Sequence, residues 1–576
     1  MLTYTPPIAE QRFVLQNIVK VDELSGHNVF ADVTSDLVDA ILEGAGQFAA
    51  GEFAPLNRVG DEVGSKWSPE GVTTPPGFKE AYGAYVEGGW GTLTGPTEYG
   101  GQGLPLSLSS VVMEDLGSAN MAFSLIMMLS PAAVEALKHH GTEEQRRTWM
   151  PKLVTGEWNG TMNLTEPQAG SDVGALKTRA VPQGDGTYRI KGQKIFITFG
   201  EHDLTDNIVH LVLARTPDAP EGTRGISLFL VPKFRLNDDG TPGEFNDVRC
   251  VSIEHKMGIH ASPTCVMSYG DRDDCVGWLV GEEQGGMRAM FTMMNNARLN
   301  VGLQGVSIAE RATQAATRYA RERVQSAKAG SASRESVRII EHADVRRMLL
   351  RMKALTQAAR ALAYYAAGLT DRGQLGDADA QARVDLLTPL VKAYGTDVGV
   401  EVTSLGVQVH GGMGYIEETG AAQHYRDARI SPIYEGTNGI QAADLVGRKL
   451  GLEGGAVLAS LLSDMRAGAA GEAPLMALIE DCEAVAGHLA TSSTDDRMAA
   501  AYPFLTLLSV AVCGWLMALQ LRAAEREDGD SRFLAMKKAA ARFYLDQVVP
   551  ETRGLRAAAM APAESLFGLD EEAFSA

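Results

Sequence analysis

Between Asn159 and Glu282 the chain changes period, and this change limits the fold more than any other feature. Ahead of it, apolar residues recur at helical spacing: Leu37, Val38, Ile41 and Leu42 share one face, and Val134 and Leu137 fall one turn apart. Within it come short runs, TYRIKGQKIFIT, NIVHLVLAR, GISLFLVP and TCVMSYG, parted by Gly, Asp and Pro. That is the pattern of antiparallel strands in a small barrel or sandwich. From Gly286 the helical spacing returns, through Ala309–Arg323, Ala343–Gly368 and Asp385–Val409. After Leu452 the chain is rich in Ala and Leu and reads as a further helical bundle. The expectation is a mainly α protein with a central β domain. Its predicted parts are an N-terminal extension (1–34), a helical domain (35–158), the β domain (159–282), a C-terminal helical bundle (283–450) and an additional helical domain (451–576).

At 576 residues the chain is too long for one hydrophobic core, which agrees with several domains. Its formal net charge of -20 repels phosphate backbones and argues against a nucleic-acid partner. The five cysteines are scattered and odd in number, with no CxxC pair and no His at metal-ligand spacing beside one. Reduced, packed thiols and no metal are therefore expected. MLTYTPPIAEQRF lacks a basic segment followed by an apolar core, so no secretory leader is predicted and the expected location is cytoplasmic.

Met498–Leu521 contains no charged residue and is long enough to cross a bilayer. A helix at the centre of a bundle is apolar all round for its own reason. With no second span and no basic flank, the buried helix is the expected form and no integral membrane span is predicted. The stretch VQSAKAGSASRES reads as a mobile loop. No Gly-rich strand-turn-helix unit supports a Rossmann site.

Four segments carry chemistry. Met162–Asp172 (MNLTEPQAGSD) stands where helices give way to strands; its turn can aim Thr165 and N–H groups at a polar ring edge, and Gly170 with Ser171 at a phosphate. A plain domain-boundary turn has the same composition. In Lys194–Gly200, strict alternation places Phe196 and Thr198 on one face, an aromatic wall beside a hydroxyl, or simply a core Phe and a rim Thr. Gln408–Tyr415 holds paired glycines that either admit a ligand or cap a helix. Tyr425–Gln441 sets Glu435 between Tyr434 and Gly436 in a loop opening a new helix, with Thr437 and Asn438 available as caps.

In this order and spacing, the TEP-x-AGSD turn, the K-x-x-IT strand, the Q-x-x-GG helix end and the Y-E-G-T loop resemble the acyl-CoA dehydrogenase family over roughly residues 35–450. The resemblance implies FAD as cofactor, an acyl-CoA as substrate, electron-transferring flavoprotein as electron acceptor, and a homodimer or dimer of dimers. It implies that Glu435 is the base removing the substrate's α proton. FAD contacts map onto Leu164, Thr165, Gly170, Ser171, Phe196 and Thr198, then onto Arg323 with Gln325, Gln408, Gly411, Gly412, Thr437 and Asn438. Arg323 matches the arginine that reaches the pyrophosphate of a neighbouring subunit's FAD. Substrate contacts map onto Ser171, Met294, Asn295, Arg298, Tyr434 and Gly436. Ala297 stands where some branches keep their base, and alanine cannot serve.

The chain departs from the family pattern in three places. Asn295 is usually acidic, Arg323 is usually followed by an aromatic residue and a glycine, and Gly439 stands where a Gln is usual. The terminal additions resemble a large bacterial subgroup, and the whole-chain likeness implies a short acyl chain carrying a thioether. A fatty acyl-CoA dehydrogenase of β-oxidation and an acyl-CoA oxidase using O₂ are the alternatives on the same fold.

Overall fold

A computed structural model describes residues 4–529 and 531–576. The chain divides into two compact units, Gly44–Ala297 and Met1–Glu43 with Arg298–Ala576.

The first unit is built on an eight-stranded sheet. Its strands are β1 (Asn159–Asn163), β2 (Arg179–Pro182), β3 (Tyr188–Thr198), β4 (Ile208–Ala214), β5 (Ser227–Pro232), β6 (Val248–Ile253), β7 (Thr264–Tyr269) and β8 (Val276–Val280). They lie in the order β6-β7-β3-β8-β5-β4-β1, with β2 on β3. All pairs are antiparallel except one: β1 runs parallel to β4, with Asn159 opposite Ile208. The antiparallel expectation fails there because β1 and β4 are joined not by a hairpin but by the long connection 164–207, which carries β2 and β3 and lets the chain re-enter the sheet in the same direction. Along β4, Val209, Leu211 and Leu213 join a core with Leu137, Trp149 and Leu153, while Val212 and Ala214 join a second core with Phe229, Val231 and Met267. Both faces of β4 are thus buried, which is why NIVHLVLAR reads as a nearly continuous apolar run.

The second unit is helical. Its long members are α1 (Gly286–Glu322, whose first turns belong to the other unit), α2 (Ala343–Gln374) and α3 (Ala378–His410). They are followed by α4 (Asn438–Gly447) and α5 (Ala501–Arg526). A Cβ on Gly305 would lie 1.9 Å from the Gly395 carbonyl, and one on Gly302 2.4 Å from that of Val391. Glycine is required there because the α1 and α3 backbones touch. Helix α5 is long and apolar enough to cross a membrane, yet 89% of its apolar window is buried within the protein; contrary to expectation a second stretch of sufficient length and apolarity exists, the shorter Met121–His140, and it too is 83% buried.

The N-terminal segment packs as part of this unit. Phe13, Val14 and Leu15 are buried, and the buried Glu10 carboxylate accepts from Lys537 at 2.7 Å. The stretch after Arg323 expected as a loop is framed by a short hairpin, Val324–Ala327 against Ser336–Arg338, with exposed turn residues 328–335 between the strands. The cysteines are all free, four of them buried.

Candidate functional site

In the sheet unit, two of the four segments are locked to one another. Glu166, in the turn after β1, and Lys194, in β3, are both buried and meet at 2.8 Å. Glu166 also accepts from the Thr178 hydroxyl at 2.5 Å and from the Lys177 and Thr178 N–H groups at 2.7 and 3.0 Å. Lys194 donates additionally to the Leu164 carbonyl at 3.0 Å. Burial works to raise the Glu166 carboxyl, but the Lys194 charge and these donors hold it at about 2; burial likewise brings Lys194 down to about 8 against the pull of Glu166. With the turn pinned on this pair, Gly170 and Ser171 are left exposed, Leu164 and Thr165 half-buried, and a Cβ on Gly170 would meet nothing within 4 Å.

The regular pleat expected for KIFIT does not hold. The register on β7 shifts between Cys265 and Met267, which face Ile197 and Lys194, so β3 carries an extra residue there. Phe196 sits in that bulge at φ +60 and is 58% exposed, and Thr198 is half-buried. A left-handed bulged aromatic costs roughly 1–3 kcal/mol and turns a ring outward that strict alternation would have packed. An exposed aromatic face, hydroxyls at a rim and an open glycine turn suit a planar ring with a phosphate tail, so these residues fit a flavin nucleotide. Met294 packs against the core below the sheet, and Asn295 is exposed on α1.

In the helical unit, Glu435 lies in the loop ahead of α4 at φ +55, followed by Gly436 at φ +82. Two successive left-handed residues reverse the chain, after which Thr437 caps α4 by accepting from the Ile440 N–H at 3.1 Å. A Cβ on Gly436 would lie 2.8 Å from Gln441 Nε2 and 4.0 Å from Arg298 Nη2, so the guanidinium lies close to the turn. Tyr434 donates its hydroxyl to Gln304 on α1. Burial raises the Glu435 carboxyl above the usual carboxylate range, while the charges of Arg298 and Lys392 restrain it. Lys392 and Gln304 were missed in the sequence: each is one polar residue in a long helix, with no local motif to single it out.

Asn438 is turned inward. Its side chain bonds Lys392, Thr396, Ala393 and Asp397, leaving its exposed neighbours Gly439 and Ile440 at the surface. His410 is buried, bonded to the Gly406 carbonyl at 2.7 Å and stacked on Tyr319 with ring centroids 4.5 Å apart. Gln408, Gly411 and Gly412 are exposed at the end of α3, and Arg323 and Gln325 are exposed beyond α1. Among the described residues, no cluster of three or more His, Cys, Asp or Glu could hold a metal ion.

Comparison with known proteins covers nearly the whole chain. Models of the acyl-CoA dehydrogenase N-terminal, middle and C-terminal domains match residues 36–157, 161–271 and 284–450, and an acetyl-CoA dehydrogenase C-terminal-like model matches 458–570. A 3-methylmercaptopropionyl-CoA dehydrogenase of Ruegeria pomeroyi is 47% identical over 96% of this chain and 97% of its own. A butyryl-CoA dehydrogenase of Syntrophomonas wolfei is 37% identical over 99% of each. The crystal structure of an acyl-CoA dehydrogenase complexed with FAD from Bacillus anthracis shares the fold, with a TM-score of 0.73 at 22% identity over 93% of this chain and 90% of that one.

Proposed function

Because the chain belongs to the acyl-CoA dehydrogenase family, whose cofactor is FAD, we propose that it desaturates a short acyl-CoA between Cα and Cβ with Glu435 as the base. The favoured substrate is 3-methylmercaptopropionyl-CoA, giving methylthioacryloyl-CoA in dimethylsulfoniopropionate breakdown; the 47% identical relative supports this choice. The observation that carries the reading is the Glu435 carboxyl, raised by burial, on a strained left-handed turn beside Arg298 and Lys392.

A thioester α-C–H is far less acidic than any carboxylic acid, so a carboxylate alone cannot take its proton. Three conditions help: a base whose pKa is lifted, a thioester oxygen held by donors, and an acceptor for the β hydrogen. FAD, when bound, would supply that hydride acceptor. In the chain, the half-buried Glu435 receives the α proton, and left-handed Gly436 leaves room beside it. The Arg298 guanidinium places positive charge near an anionic substrate. By the resemblance Leu164, Thr165, Gly170, Ser171, Phe196 and Thr198 would hold the FAD of their own subunit, Gln408, Gly411 and Gly412 would line, with Arg323, the adenosine-side groove of a neighbouring subunit's FAD, and Thr437 would return to the first FAD. Asn438 could contribute there only through its backbone, since its amide is already engaged. Electron-transferring flavoprotein is the proposed acceptor of the electrons.

Glu435→Gln tests the base. The variant is expected to keep its yellow, FAD-loaded state and acyl-CoA binding, while anaerobic bleaching by substrate slows by at least ~10²–10⁴-fold. Bleaching within a few-fold of the parent rate would place the base elsewhere.

A further inference from the structure

The Glu435 loop is braced from outside the bundle that carries it. Asn438, the first residue of α4, bridges a buried ammonium and a half-buried carboxylate: Lys392 Nζ donates to its Oδ1 at 2.9 Å, and its Nδ2 donates to Asp397 Oδ1 at 2.8 Å. The amide can sit only this way round, because an ammonium only donates and a carboxylate only accepts. The other Asp397 oxygen accepts from the Tyr502 hydroxyl at 2.6 Å. Tyr502 is the second residue of α5, within the segment 458–570 that matches a separate domain model. Nearby, Met498 lies 3.5 Å from where a Cβ on Gly447 of α4 would stand. A continuous path, Tyr502–Asp397–Asn438–Lys392, thus runs from the additional C-terminal domain to the ammonium whose charge acts on Glu435.

We propose that Tyr502 is a positioning residue for the base: by holding Asp397 it fixes Asn438 and the charge of Lys392, so the C-terminal domain governs the pH range in which Glu435 works. This rests on the reading of Glu435 as the base. The groups involved come from every side. Arg298 on α1 and Lys392 on α3 act on Glu435; Glu435, Asp397 and Arg298 act on Lys392; Tyr502, Asn438, Lys392 and Arg429 act on Asp397. Burial brings Lys392 down to about 7, with Glu435 and Asp397 pulling it up, so its charge depends on those carboxylates. Burial also raises Asp397, and the Tyr502 hydroxyl is the first of the groups that restrain it.

The direction of the effect follows. Without the Tyr502 hydroxyl, Asp397 takes up a proton more readily and holds Lys392 less firmly. Lys392 then loses its proton at lower pH, Glu435 loses a positive neighbour, and its pKa climbs. Since the base must be ionised, the acid limb of kcat/KM moves to higher pH.

The test uses the full-length, FAD-loaded enzyme as Tyr502→Phe and Asp397→Asn, with kcat/KM for butyryl-CoA followed across pH and thermal unfolding measured beside it. The expected result is an acid limb displaced upward by about half a pH unit in Tyr502→Phe and further in Asp397→Asn, as a contact charge moves a carboxyl by about 1–3 pH units and the tyrosine acts at one remove. Limbs superimposable on the parent's in both variants, whatever the change in Tm, would overturn the proposal and leave Tyr502 a structural contact. A Glu435→Gln enzyme that still bleaches is a different failure, since it removes the base itself; an inert Glu435→Gln with unmoved limbs sinks only the role of Tyr502.

Discussion

Two residues decide how the sheet unit presents its candidate flavin surface. Glu166 and Lys194 are buried and each completes the other's hydrogen bonding, so removing one strands the other's charge. Lys194→Met is expected to cost about 3–5 kcal/mol, read by urea unfolding, and to loosen FAD, because the turn at Gly170 loses its anchor. The pH dependence gives a second check. The folded Glu166 pKa, about 2, lies below its unfolded value, so its contribution is complete above the ordinary carboxyl range and fades as pH falls towards 2. Lys194→Met should lose that acid-side dependence. Glu435 has the opposite sign: its carboxyl is raised, so kcat/KM should fall on the acid side at a pH above the ordinary glutamate value of about 4.3. A limb at or below that value would mean that burial does not tune the base.

At the level of helices, the contact between α1 and α3 brings Arg298 and Lys392 to one turn. Gly302, Gly305, Gly395 and Gly399 allow backbone to meet backbone. Gly305→Ala would drive a methyl into the Gly395 carbonyl, 1.9 Å away, where no side chain can swing aside. The helices must part, at a cost on the order of 3 kcal/mol in thermal unfolding, with flavin bleaching slowed as the two cations retreat from Glu435. A fully active variant of unchanged Tm would show that this contact is not tight. The spacing of these glycines is visible in the chain, but their meaning is not, since helical periodicity does not tell which helix will lie opposite.

For the molecule as a whole, the proposed assembly is a dimer or dimer of dimers in which Arg323 serves a neighbour's FAD. The exposure of Arg323 and Gln325 beyond the end of α1 leaves them available for such a contact. Arg323→Ala should therefore lower FAD content and shift sedimentation towards monomer together at low micromolar concentration. Retention of both would separate this arginine from the cofactor. The acyl preference belongs at this level too, because it rests on likeness along the whole chain: kcat/KM should be higher for 3-methylmercaptopropionyl-CoA and butyryl-CoA than for palmitoyl-CoA. The reverse order would favour a long-chain enzyme on the same architecture.

Much of this molecule is written in local pattern. The switch from helical spacing to short alternating runs and back marks the strands of the sheet, because side-chain period follows directly from backbone geometry. The four segments are likewise contiguous, so a turn, a strand and the Glu435 loop can each be recognised from neighbours in the chain. Other features depend on partners far apart in sequence. The parallel pairing of β1 with β4, the bulge that turns Phe196 outward, and the hairpin after Arg323 are set by strands that meet only once the chain has closed. Asn438 shows the same limit most clearly. In sequence it is a capping residue beside the Glu435 loop; in the fold it joins Lys392 to Asp397, which in turn accepts from Tyr502, because a charge withdrawn from water must find a partner wherever the chain can supply one.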